Sequence, residues 1–83
     1  MKKYKIVEVE WIDAQSSLEP MTISDLEKQP IITTYSSGYL IKQDKEKVVL
    51  AFMMFGEDKS GELIMKHYQI IPEKMVKKIK ILK

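Results

Sequence analysis

Hydrophobic and polar residues alternate through most of this chain, and a period of two is typical of β-strands that have one buried face. Near the N-terminus, for example, Val7, Val9 and Trp11 occupy alternate positions, and glutamates fill the positions between them. Five stretches have this strand character, and they cover residues 4–13, 31–43, 48–55, 62–71 and 76–82. The pattern therefore predicts a mainly β fold.

The segments between these strands contain residues that favour turns. The longest connection is the early loop, residues 15–30, where a serine and a glutamate three residues apart predict one or two helical turns near Ser24–Gln29. Gly38 predicts a bulge or bend within the second strand. The segment Pro72–Met75 is long enough only for a single 3₁₀ turn before the last strand.

The same alternation predicts the core of a single small domain spanning residues 1–83. A chain of this length buries roughly 60% of the surface that its unfolded form exposes, so one core is expected. The residues expected to be largely buried are Val7, Val9, Trp11, Leu40, Val49, Ala51, Ile71, Val76 and Ile79.

The third strand, residues 48–55, is apolar at every position, so it presents an apolar face on each side of a sheet. Five strands with mostly short connections predict a small barrel. Such a barrel has only one interior, so the second face must be covered by something else. The early loop has side chains that could cover it, namely Leu18, Met21, Ile23 and Leu26. A protein partner or a second copy could cover it instead. The candidate residues for such a protein interface are Phe52, Met54 and Tyr39.

Charge is unevenly distributed although the net charge is only +2. Residues 8–27 hold six acids and no lysine, whereas residues 66–83 hold six lysines and one acid. The candidate nucleic-acid contacts are Lys77, Lys78 and Lys80, which could bind phosphates. The same lysines could be a solvated face that discourages aggregation of the last strand. The absence of arginine and of a stacking motif argues against specific base readout.

No constellation of residues indicates a reaction or a cofactor. His67 is the only histidine and there is no cysteine, so no nucleophile–base pair and no thiolate metal site can be assembled. Glu8 and Glu10 share a strand face, where they could hold a cation or simply be solvated. We therefore assign no catalytic, cofactor-binding or metal-binding residue, and we expect a non-enzymatic protein.

The sequence also carries no expected membrane segment. Glu8 and Glu10 interrupt the apolar stretch that a signal peptide would need after the N-terminal lysines. The longest apolar run, residues 48–55, is too short to cross a bilayer as a helix. We expect a soluble, cytoplasmic protein.

The order of elements resembles the Src-homology-3-like barrel, and the stretch Ile70–Val76 resembles the strand, 3₁₀ turn and strand that close such barrels. This resemblance implies a small five-stranded barrel with a long first loop. Among the residues that line the peptide groove of that family, only Pro72 has a counterpart, and Met75 stands where a tyrosine is expected. Binding of proline-rich peptides is therefore not implied.

A narrower resemblance covers most of the chain. The segments VEWIDA at residues 9–14, GYLI at 38–41, VVLA at 48–51 and the stretch Ile71–Ile79 are together similar to small uncharacterised phage and prophage proteins. This resemblance supplies no activity, cofactor or catalytic residue. It implies a phage- or prophage-encoded protein, for which we expect an interaction module that binds a protein partner or itself.

Overall fold

The computed structural model describes residues 4–83, and five antiparallel strands dominate it. The elements are β1 (Ile6–Asp13), α1 (Ile23–Glu27), β2 (Ile32–Gln43), β3 (Lys47–Glu57), β4 (Leu63–Pro72), a 3₁₀ turn (Glu73–Met75) and β5 (Val76–Ile81). The predicted mainly β fold is therefore confirmed, together with the 3₁₀ turn before the last strand.

The five strands form one sheet in the order β4-β3-β2-β1-β5. Strands β4 and β5 are its two edges, and within residues 4–83 they are not paired with each other, so the sheet does not close into the expected barrel. The long strand β2 joins the two parts of the sheet. Its residues 32–39 pair with β1, and its residues 39–43 pair with β3.

Gly38 lies where β2 passes from one partner strand to the other. The predicted bulge or bend at this residue is wrong, because the strand is continuous through it. A Cβ at this position would lie 2.8 Å from the carbonyl oxygen of Ala51 and 3.0 Å from the ring of Phe52. A glycine inside a strand often marks such a close approach of a neighbouring backbone. The irregularity of β2 occurs further along instead, as a register shift between Leu40 and Lys42.

The core lies on one face of this sheet. Its buried side chains are Val7, Val9, Trp11, Val48, Leu50 and Ile71, and the partly buried Leu40, Val76 and Ile79 pack against them. Trp11 is 8% exposed, and its indole Nε1–H donates a hydrogen bond to Ser36 Oγ at 3.0 Å. This bond satisfies the one polar group of the indole, which makes burial of the ring favourable.

The predicted phase of β3 is wrong by one residue. Val48 and Leu50 point into the core, whereas Val49 lies on the opposite face and is only half-buried. Ala51 is fully buried, as predicted, but it lies outside the core cluster. Because the strand is apolar at every position, alternation alone cannot distinguish its two faces.

The early loop is exposed along its whole length, and α1 buries no residue. The helix begins at Ile23, because Thr22 Oγ1 accepts a hydrogen bond from the Asp25 N–H at 3.1 Å. The residue that caps the helix is therefore Thr22. The sequence pattern had indicated Ser24 instead. Near the two ends of the loop, Gln15 Nε2 donates to the Pro30 carbonyl oxygen at 3.0 Å.

Alanine substitutions on β3 test which of its faces packs into the core. Leu50→Ala should lower the free energy of unfolding by roughly 2–5 kcal/mol, because it removes a fully buried side chain and leaves a cavity. Val49→Ala should cost only about 1 kcal/mol, since that side chain is half-buried. Urea unfolding of both variants measures the difference, and a loss at Val49 equal to that at Leu50 would contradict the observed phase.

Candidate protein-interaction surface

Strands β3 and β4 extend beyond the rest of the sheet as a two-stranded ribbon. Strand β3 pairs with β2 only as far as Ala51, but it pairs with β4 as far as Glu57. Within residues 4–83, the segments 52–57 and 63–67 therefore have only each other as sheet neighbours. A two-stranded hairpin on its own is marginally stable in water, so the side chains of the ribbon need other support.

Hydrogen bonds to Asp58 hold the turn at the tip of the ribbon. Its carboxylate accepts from the Ser60 hydroxyl at 2.6 Å and from the N–H groups of Ser60 and Glu62 at 2.8 Å and 3.1 Å. These bonds stabilise the charged carboxylate, the Ser60 hydroxyl most of all, and so lower the pKa of Asp58. Gly56 and Gly61 flank the turn with positive φ angles of 54° and 87°, which glycine adopts without strain.

One face of the ribbon and of the adjoining part of β3 and β4 carries a group of exposed apolar side chains. Residues that oppose each other in an antiparallel pair share a face. The register gives four successive pairs on the side opposite the core, namely Val49–Ile70, Ala51–Tyr68, Met53–Lys66 and Phe55–Ile64. We define the outer ribbon face by the apolar members of these pairs that are 39% to 68% exposed, which are Met53, Phe55, Ile64, Tyr68 and Ile70.

The structure brings only one of the three predicted interface residues onto this side of the sheet. Tyr39 opposes Ala51, so it borders the outer ribbon face, where it is half-buried. Phe52 and Met54 alternate with Ala51 and therefore lie on the other side of the ribbon, with the Phe52 ring beside Gly38. The three residues do not form one surface.

Most of the outer ribbon face was missed by sequence reasoning. Ile64, Tyr68 and Ile70 are spaced by even numbers along β4, so they share one face of that strand. Ile71 falls on the other face and enters the core. This second apolar face of β4 was the signal available in the sequence.

The early loop does not cover the apolar residues of β3, contrary to the intramolecular alternative. Its four apolar side chains, namely Leu18, Met21, Ile23 and Leu26, are themselves 50% to 104% exposed. Met53 and Phe55 on β3 remain about half exposed, at 47% and 49%. The apolar residues of the ribbon and of the loop are thus both open to solvent.

The candidate nucleic-acid residues all lie on β5, whose neighbouring strand β1 carries glutamates. Across the β1–β5 ladder, Lys78 opposes Glu10 and Lys80 opposes Glu8. Lys77 lies at the register shift of that ladder, and its Nζ is 3.6 Å from Glu10 Oε2. Opposite charges placed across a ladder stabilise the pairing of its strands and reduce the positive potential of the lysines.

His67 is an irregular residue within β4, at the point where the ribbon leaves the sheet. It is exposed and has a φ of 55°, an uncommon conformation that histidine tolerates better than β-branched residues do. The pairs Ala51–Tyr68 and Met53–Lys66 on either side of it are formed, whereas Phe52 and His67 are not paired. The histidine is therefore a local irregularity of the exposed edge strand.

An open cleft of about 400 Å³ lies between the end of β1 and the early loop. Its apolar lining includes Ile12, Met21, Leu26, Pro30 and Ile31. Ligand pockets are usually enclosed and combine such a lining with converging polar groups. The open cleft is instead bounded by a loop whose residues are all exposed.

No family model, no curated protein and no solved structure matches this chain. Among residues 4–83, no group of three or more histidine, aspartate or glutamate side chains could hold a metal ion. No helix in the same range is long and apolar enough to cross a membrane. A function must therefore be inferred from the geometry and chemistry of the described surface.

Two turn carboxylates should titrate below their ordinary pKa of 3.8. In the β2–β3 turn, the N–H groups of Glu46 and Lys47 lower the pKa of Asp44, as the tip hydrogen bonds lower that of Asp58. Because both pKa values are depressed, the stability they contribute is present above pH 3.8 and is lost as the pH falls through the folded values. Carbon-13 NMR titration measures both, with Asp44→Asn and Asp58→Asn as assignment controls. A value of 3.8 or higher for either carboxyl would contradict these hydrogen bonds.

Proposed function

We propose that this chain is a non-enzymatic protein-interaction module that binds its partner through the outer ribbon face. The observation that carries the proposal is the row of five apolar side chains exposed over successive cross-strand pairs of β3 and β4. Apolar residues scattered over a surface are ordinary, but a contiguous apolar patch marks a binding surface.

The composition of the outer ribbon face supports this proposal. It contains aromatic and methionine side chains, which are enriched at protein interfaces, and Lys66 is the one charged residue within its rows. Beyond Phe55 and Ile64, the tip adds the charged residues Glu57 and Glu62. An apolar centre with a polar rim is the usual arrangement of residues at such interfaces.

We also propose that the fold is a Src-homology-3-like arrangement and that the protein comes from a phage or prophage. The strand order β4-β3-β2-β1-β5 and the 3₁₀ turn between β4 and β5 support the first point. The segments quoted from the sequence support the second.

The lysine-based alternative receives less support. Nucleic-acid binding through Lys77, Lys78 and Lys80 requires a positive surface, since phosphate contacts supply most of nonspecific affinity. Glu8 and Glu10 oppose two of these lysines across the ladder, and Glu10 lies near the third. We therefore propose that these lysines form a solvated edge that protects β5 from unwanted pairing.

Serine substitutions in the outer ribbon face test the proposal. A purified partner, identified by capture on the immobilised native protein, should bind Phe55→Ser and Ile64→Ser at least about tenfold more weakly, because apolar anchors are lost. Isothermal titration calorimetry measures this loss, and Leu18→Ser, an apolar-to-serine change at an exposed position of the early loop, serves as the control. Equal affinity of all variants would contradict the proposal.

The nucleic-acid alternative has a separate readout. The native protein should show no binding to duplex or single-stranded oligonucleotides at low salt in a fluorescence anisotropy titration, because acidic side chains face the lysines. A complex that weakens steeply with salt would favour the alternative if replacing Lys77, Lys78 and Lys80 together with glutamine abolished it.

A further inference from the structure

The molecule exposes far more surface than a compact protein of its size. Its solvent-accessible area is 6975 Å², whereas a compact monomer of 9.7 kDa exposes about 5,100 Å². Its radius of gyration is 16.6 Å, whereas a compact chain of this length has about 12 Å. The excess of about 1,900 Å² is well above the roughly 800 Å² that each partner buries in a standard protein interface.

The ribbon contributes to this excess on both of its sides. Phe52 on the inner side is 42% exposed, and Met53 and Phe55 on the outer side are 47% and 49% exposed. The early loop does not cover these side chains, although the Phe52 ring lies beside Gly38 of β2. A two-stranded ribbon without cover is marginal, so the ribbon of this chain fits best in an assembly that covers it.

Charge along the ribbon changes sign between its tip and its middle. The tip contains the acids Glu57, Asp58 and Glu62 against the single base Lys59. Among the four cross-strand pairs that carry the outer ribbon face, the one charged residue is Lys66. A second ribbon that runs antiparallel to the first across a two-fold axis would bring the acidic tip of each copy towards Lys66 of the other.

We infer that the partner of the outer ribbon face is a second copy of this chain, packed face to face across a two-fold axis with the two ribbons antiparallel. This inference rests on the proposed function and names its partner. The two-fold axis passes between the Met53–Lys66 and Phe55–Ile64 pairs. The Met53–Lys66 pair of one copy therefore packs on the Phe55–Ile64 pair of the other copy. The apolar side chains then form the centre of the interface, and each Lys66 lies one pair away from the opposite acidic tip.

A two-fold interface is self-complementary, because each contact occurs twice. In this arrangement Met53, Phe55 and Ile64 of both copies exclude water from the axis. Tyr68 lies at the rim, where its phenol O–H faces the carboxylates of the other tip. Each copy therefore covers the part of the ribbon that its own sheet and loop leave open.

Sedimentation equilibrium of the purified native protein tests the inference. A monomer–dimer equilibrium is expected at concentrations up to about 1 mM, and Phe55→Ser and Ile64→Ser should each weaken it at least about tenfold. Leu18→Ser should leave the equilibrium unchanged, since that side chain lies in the early loop. Urea unfolding of each variant confirms that the sheet itself remains folded.

A charge-reversal cycle tests the antiparallel orientation independently of the apolar contacts. Lys66→Glu alone and Glu62→Lys alone should each weaken the dimer, because each places like charges together across the axis. The double variant should restore it, since opposite charges then face each other again. Lys45→Glu, an equivalent reversal at an exposed turn position, is the matched control and should have no effect beyond that of net charge.

The outcomes separate this inference from the proposed function. A native protein that stays monomeric overturns self-association. The proposed function then stands only if a different protein binds the native chain and loses affinity for the Phe55→Ser variant. A monomeric protein without any ribbon-dependent partner overturns both. Association that is insensitive to Phe55→Ser and Ile64→Ser but lost in Leu18→Ser would move the interface to the early loop and overturn the inference.

Discussion

The passage of β2 from β1 to β3 at Gly38 is the constraint on which the rest of the structure depends. The backbone of Ala51 and the ring of Phe52 lie where a side chain at this position would stand. This close contact fixes Tyr39 opposite Ala51 and Leu40 opposite Leu50, so that Leu50 enters the core. It also decides where the ribbon begins, because β3 loses its β2 partner beyond Ala51.

The two edges of the sheet have different chemistry as a result. The β5 edge carries lysines whose neighbours across the ladder are glutamates, so its charge is partly compensated within the molecule. The β4 edge belongs to the ribbon and carries apolar side chains on the outer face, with His67 as an irregular residue between them. One edge therefore carries charge that is compensated within the molecule, and the other carries exposed apolar side chains.

The outer ribbon face connects stability with function. Half-exposed aromatic and aliphatic side chains cost free energy when they remain in water, at about 25 cal/mol for each Å² of apolar surface. The hydrogen bonds of Asp58 hold the tip in place, but they do not remove this cost. A partner that covers the ribbon would stabilise it and bind to it through the same contacts.

The sequence by itself determined the elements of this protein. Alternation predicts the five strands and places Trp11 in the core, and the segment before β5 predicts the 3₁₀ turn. These features depend on neighbouring residues and on period, which can be read locally. The shared face of Glu8 and Glu10 follows from the same rule.

Only the tertiary structure decided which apolar face is covered. Val48 and Val49 are chemically identical, and the register with β2 and β4 alone sends the first into the core. The same register places Tyr39 and Phe52 on opposite sides. The early loop leaves apolar residues of β3 exposed, although its composition would have allowed it to cover them. Such choices depend on contacts between residues far apart in the chain, and local periodicity carries no information about them.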